Sequence, residues 1–147
     1  MTESALPAGG LTISNTNFWF HELPEPPGPD FEGPATNPTN FIIQQGQALH
    51  CHFTFNVSGF LHPLLMANWT CTILLEKMGP GEGPALPTTT INYNATGNYN
   101  GTMTIPGSLP VGTYRIVATL TCFHPLTGTP LPLAAFEDGK MVQVYHA

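Results

Sequence analysis

The sequence predicts an all-β fold, a two-sheet antiparallel sandwich of about seven strands joined by long Pro/Gly-rich loops. Three observations predict it. Fifteen Gly and sixteen Pro cut the chain into pieces bounded by turn signals, and the windows between them are rich in β-branched and aromatic residues. In the clearest of these windows apolar and polar residues alternate, the period of a strand with one buried face. The 147 residues suit one domain, long enough to bury a core without metal or disulfide. Residues 1–10 read as a flexible tail, and residues 11–147 as a single sandwich domain.

The elements follow in order of clarity. In Gln47–Val57, Leu49, Cys51, Phe53, Phe55 and Val57 share one face, while Ala48, His50, His52, Thr54 and Asn56 share the other. Thr113–His124 repeats the pattern: Tyr114, Ile116, Ala118, Leu120 and Cys122 face inward, and Thr113, Arg115, Thr119 and Thr121 outward. Val117 and Phe123 are apolar exceptions on the outward side. Asn68–Leu75 puts Trp69, Cys71, Ile73 and Leu75 inward. The longer segment Leu64–Met78 also reads as helix at its two ends, but its Trp-Thr-Cys-Thr-Ile centre favours a strand. Leu11–Phe20, Thr88–Tyr93, Gly101–Ile105 and Met141–Tyr145 complete the seven, with Phe41–Gln44 continuing the edge role of the first. Glu22–Asn40, Met78–Pro87 and Pro125–Gly139 are Pro-rich and read as loops, because Pro removes a ladder donor. Asn92–Gly101, with Asn-Tyr-Asn repeated on either side of Ala-Thr-Gly, reads as a hairpin turn.

Composition narrows the function. Charged residues are 8% of the chain and the net charge is −6, with only Lys77, Arg115 and Lys140 basic; this is the wrong sign for nucleic acid. No apolar run reaches the ~20 residues of a membrane span. Residues 1–10 lack the basic start and apolar core of a signal peptide, so the expectation is a cytoplasmic protein, or a secreted one if a leader has been removed.

Cys51, Trp69, Cys71, Gly112-Thr-Tyr114 and Cys122 resemble the landmarks of the immunoglobulin-like β-sandwich superfamily. The resemblance covers roughly Phe41 to Tyr145 and implies an Ig-like sandwich with Cys51 and Cys122 facing each other across the core and Trp69 packed nearby. Leu75–Glu82 and Leu133–Gly139 are similar to small uncharacterised bacterial sandwich proteins, a likeness that implies no activity. The inward cysteines have two readings: buried free thiols behaving as small hydrophobes, or a Cys51–Cys122 disulfide between the sheets. Without a leader, free thiols are expected.

Candidate chemistry is sparse. His50 and His52 stand two apart on a strand and share a face, which suits a divalent metal held by imidazole nitrogens. A third ligand is required, and His21, His62, His124 and His146 are the candidates; the alternative is two solvated histidines. Tyr93 and Tyr99 stand among Asn and Thr, a composition that can stack on and hydrogen-bond a sugar, or cover a sheet edge. Phe18 and Trp19, adjacent in a Phe-Trp-Phe run, cannot both face one core, so they are either covered by another element or form a partner surface. The acids fall mostly in tail and loops, and no P-loop, dinucleotide fingerprint, HExxH, GxSxG or CxxC motif occurs. The expectation is therefore a non-enzymatic binding or self-assembly module, an oligomer or filament subunit, with no cofactor beyond the divalent metal considered for His50 and His52. Its partner is another copy or another protein. A carbohydrate-binding module, a metal-binding sandwich using His50 and His52, and an apolar-ligand carrier are the alternatives.

Overall fold

A computed structural model describes residues 2–4, 7–22, 42–80, 86, 88–105, 107 and 109–146. The fold is all-β, with two sheets and one helical turn. Its elements are β1 (Thr2–Ser4), β2 (Thr12–Glu22), β3 (Ile42–Gln44), β4 (Leu49–Ser58), α1 (His62–Leu65), β5 (Asn68–Lys77), β6 (Thr88–Ile91), β7 (Asn98–Ile105), β8 (Gly112–Phe123) and β9 (Pro130–Tyr145). The larger sheet runs β1-β9-β8-β5-β6, with β3 also on β9; the smaller runs β2-β4-β7. All pairs are antiparallel except β3 with β9. No helix among the described residues is long and apolar enough to cross a membrane.

The alternating residues make the core. Leu49, Cys51, Phe53, Phe55 and Val57 on β4 are buried, and so are Tyr114, Ile116, Ala118, Leu120 and Cys122 on β8. Trp69, Cys71, Ile73 and Leu75 on β5 join them in one cluster with Phe18, Phe20, Tyr99 and Met103. Trp69 meets Phe55 edge-on at 5.3 Å between ring centroids, and Tyr99 stacks flat on Phe55 at 4.9 Å. Hydrophobic burial of these two inner faces holds the layers together.

Several elements differ from the sequence expectation. Nine strands are present among the described residues, not seven. Thr2–Ser4 lies in the stretch expected as a tail and instead pairs with Leu133–Ala135 of β9. Ile42–Gln44 runs parallel to Gln143–Tyr145 rather than extending β2; Phe41 lies outside the described residues. Much of Pro125–Gly139 is strand, because Pro130 opens β9, where a missing donor costs least, and Pro132 falls where the β8–β9 register shifts. Leu133 and Ala135 then bury inward. β6 and β7 lie in different sheets, so the Asn92–Gly101 segment crosses between layers and is not a hairpin. Most of the Pro-rich stretch Glu22–Asn40 lies outside the described residues, as does most of 81–87.

Two local devices fix the strand entries. Tyr114 is buried, and its hydroxyl donates to the Pro110 carbonyl at 2.7 Å, four residues upstream. This pins the turn leading into β8. In β2 the register shifts between Ser14 and Asn17, with Asn15 at φ 51°. Asn tolerates that left-handed conformation better than other non-Gly residues, so the bulge stays local.

Candidate functional site

Three connections meet at one end of the sandwich: β4–β5, carrying α1; β6–β7; and β8–β9. Pro63 sits in the first turn of α1, and Met66 ends it in the left-handed region (φ 46°, ψ 38°) with its N–H on the His62 carbonyl. A non-Gly residue costs energy there, and the reversal turns the chain into β5 after a single helical turn. Phe60, Leu64 and Met66 are left exposed.

The β6–β7 segment is tied to itself. The Asn94 side-chain oxygen accepts from the Thr96 N–H and hydroxyl, both at 2.9 Å, and the Asn94 amide donates to the Asn98 carbonyl at 3.0 Å. Gly97 (φ 75°) closes the turn with its carbonyl on the Val57 N–H; a Cβ there would strike the Val57 oxygen. The Tyr93 N–H donates to Asn68 Oδ1 at 2.9 Å, joining this loop to the start of β5. His62 is buried between the two tyrosines. Its Nε2 hydrogen-bonds the Tyr99 hydroxyl at 2.9 Å, and its ring lies 5.1 Å from that of Tyr93. The Asn94 N–H also donates to the Tyr99 hydroxyl. Burial lowers the His62 pKa by desolvating the imidazolium.

In β8–β9, His124 Nδ1 faces the N–H groups of Leu126 and Thr127, and Gly128 (φ 67°) returns its N–H to the His124 carbonyl. This lifts Leu126 into solvent, 90% exposed; Leu64 is 73% exposed. Between the loops lies an open groove of about 560 Å³ lined by Leu64, Met66, Asn92, Tyr93, His124 and Leu126, among others. A second groove of about 890 Å³ runs along the other side of the β8–β9 loop, past Thr70, Phe123 and Leu131. Among the described residues, no Asp, Glu, Lys or Arg lines either groove. The arrangement can take an uncharged, largely apolar group and orient it with amide and imidazole dipoles.

No protein-family model matches the chain, and no curated protein matches it at a significant level.

The site residues expected from the sequence are scattered. Tyr93 lines the loop-end groove, half-buried. Tyr99 is only 4% exposed, inside the core on β7, so it offers no ring for a sugar. Phe18 packs against Phe53 and Phe20 in the core. Trp19 is buried on the opposite face of its sheet, stacked on His52 at 5.2 Å and 11°. Neither ring is a partner surface. His50 and His52 do stand together, 4.5 Å between ring centroids. They are not both solvated: His52 is 1% exposed beneath Trp19, and His50 is half-buried. Among the described residues no group of three His, Cys, Asp or Glu gathers to hold a metal. Cys51, Cys71 and Cys122 are buried free thiols. Desolvation raises the Cys51 pKa, and pushes Cys71 up to about 12 and Cys122 up to about 11. Sequence reasoning missed Leu64, Met66 and Leu126. The signal was present: apolar residues beside Pro63 and Pro125, where strand alternation fails.

Proposed function

We propose that the chain is an Ig-like, non-enzymatic binding module that recognises an apolar, uncharged segment of a protein partner through its loop end. The observation that carries this reading is the cluster of exposed Phe60, Leu64, Met66 and Leu126 on two connections flanking the 560 Å³ groove. Solvent-facing apolar side chains gathered on loops and rimmed by Asn and His mark interaction surfaces. The sheet order, the buried Trp69 and the Tyr114–Pro110 hydrogen bond resemble the Ig-like arrangement, whose loop clusters carry recognition. The buried thiols, held protonated, support a non-enzymatic role, since the thiolate is the nucleophile.

Panning a random-peptide library on the wild-type chain, with a Leu64→Asp/Leu126→Asp variant as counter-selection, tests this. Enrichment of apolar or aromatic peptides on the wild type alone is expected. Equal recovery on both chains overturns the loop-end assignment.

A second reading is self-association through the outer face of the larger sheet. Leu74 and Val117 are ladder partners there, with Phe136 and Met141 nearby, all partly or largely exposed. The Arg115–Glu76 pair at 3.4 Å is the ion pair found on this face among the described residues. Among the described residues, that pair opposes stacking of two such faces only weakly. The opening between the sheets at Phe18, Phe53 and Leu120 has a volume of about 10 Å³, about what a single water needs, which leaves an apolar-ligand carrier without room there.

A further inference from the structure

We propose that the β6–β7 connection and the start of β7 form a binding site for one unit of an uncharged sugar, held by the amides of Asn92, Asn94, Asn98 and Asn100. These four residues line an open groove of about 380 Å³, together with Tyr93 and Ile91. Among the described residues no Asp, Glu, Lys or Arg lines it, so it offers a phosphate or a sugar acid no cation to pair with. The repeated Asn-Tyr-Asn sets the groove out. In each copy the central tyrosine turns inward, Tyr93 against His62 and Tyr99 into the core. The flanking asparagines stay exposed. On β7, Asn98 and Asn100 share a face and stand roughly 6.6 Å apart along the strand, close to the breadth of a sugar ring.

The fold accounts for two of the four amides and not for the others. Asn94 ties the turn through Thr96 and Asn98, and Asn98 Oδ1 accepts from the Asn56 amide. The side chains of Asn92 and Asn100 make no hydrogen bond among the described residues, and a turn closed by Asn94 and Gly97 does not need them. An amide offers two donors and one acceptor. A sugar hydroxyl both donates and accepts, so one hydroxyl can take an N–H from one asparagine and give its proton to the oxygen of the next. The frame is already built. The Tyr93 N–H is held by Asn68, its ring rests against His62, and Gly97 leaves no space for a Cβ. Groups fixed in advance lose little freedom on binding. Asn92 and Tyr93 also line the loop-end groove, so the two sites adjoin and differ in chemistry: amides here, Leu64, Met66 and Leu126 there.

The test is nitrogen–proton correlation NMR of the full chain, titrated separately with glucose, galactose, mannose and N-acetylglucosamine, with glycerol as the control polyol. Saturable shifts of the Asn92 and Asn100 side-chain amides are expected with at least one of the sugars, with a dissociation constant on the order of 1 mM, and none with glycerol. Asn92→Ala and Asn100→Ala should each weaken binding about fivefold, the worth of one neutral hydrogen bond, at an unchanged thermal midpoint. Leu64→Asp/Leu126→Asp should leave sugar binding intact, so failure of the loop-end reading would not take this site with it. The site is overturned by the absence of saturable shifts with all four sugars, or by equal shifts with glycerol. Binding that both alanine variants keep overturns it too, as does a fall in their thermal midpoint, which would show that these amides serve the fold.

Discussion

His62 Nε2 lies 2.9 Å from the Tyr99 hydroxyl, so one buried hydrogen bond ties the single helical turn of α1 to strand β7 of the smaller sheet. Asn94 joins the same hydroxyl from the β6–β7 loop. Three pieces of the loop end thus share one polar centre, walled by Tyr93 and Gly97.

That centre makes the loop end sensitive to acid. Burial lowers the His62 pKa, so the folded state favours neutral imidazole while the unfolded chain titrates near about 6.5. Between the two values the unfolded chain binds more protons, and stability rises with pH. The His62 contribution is full above about pH 6.5 and declines as the pH falls toward the folded value. Urea midpoints measured across this range should fall with acid in the wild type, and less steeply in His62→Gln. Parallel slopes would refute the assignment.

Tyr114→Phe removes the hydroxyl that donates to the Pro110 carbonyl. Loss of this part-buried hydrogen bond, whose acceptor belongs to an exposed residue, costs about 0.5–1.5 kcal/mol, so the urea midpoint should drop with the slope of the transition unchanged. Burial raises the Tyr114 pKa; the unfolded chain ionises near about 10, so the folded state loses stability as the pH rises past that value. The Phe variant should lack this alkaline loss.

How much of this was legible in the sequence depends on what carries the signal. The alternation of Leu49–Val57 and of Tyr114–Cys122 reports a face in contact with oil, and the structure buries those positions. Strand partners leave no such local trace: the sheet change between Ile91 and Asn98 and the parallel edge at Ile42–Gln44 depend on contacts distant in sequence. Pro130 and Pro132 hid β9, because proline excludes a central ladder but not a strand start or a register shift. His52 looked wet because alternation names the face away from the core, not whether Trp19 lies across it. The loop-end hydrophobics were readable only as breaks in pattern, since exposure is a property of how loops are lifted.

The buried thiols give a third test. Cys51, Cys71 and Cys122 carry raised pKa values through desolvation, and reaction with disulfide reagents needs thiolate and access. At about pH 8 the native chain should react negligibly slowly, and in denaturant all three should react at ordinary rates. A fast-reacting native thiol would show that the β4–β5–β8 core opens.

Self-association separates from partner binding by location. Leu74→Glu and Val117→Lys change outward positions on β5 and β8. They should lower any dimer fraction seen by sedimentation at high micromolar concentration without altering the thermal midpoint. Leu64→Asp and Leu126→Asp should leave sedimentation unchanged. If the loop-end pair disperses an oligomer and the sheet pair does not, the self-contact belongs to the loops.

Met66 sets stability against recognition. Its left-handed backbone at the end of α1 costs a non-Gly residue about 1 kcal/mol or more, and Gly takes that conformation freely. Part of the relief is offset because Gly gains freedom in the unfolded chain. Met66→Gly should therefore raise the urea midpoint slightly or leave it unchanged, where a typical loop Met→Gly lowers it. The same change deletes an exposed side chain from the groove lined by Leu64, Tyr93 and Leu126. Capture of the apolar peptides enriched on the wild type should then weaken by roughly tenfold, about 1.4 kcal/mol. A variant that loses both stability and binding would show that Met66 packs as structure, and that the strained turn is held for the fold and not for the partner.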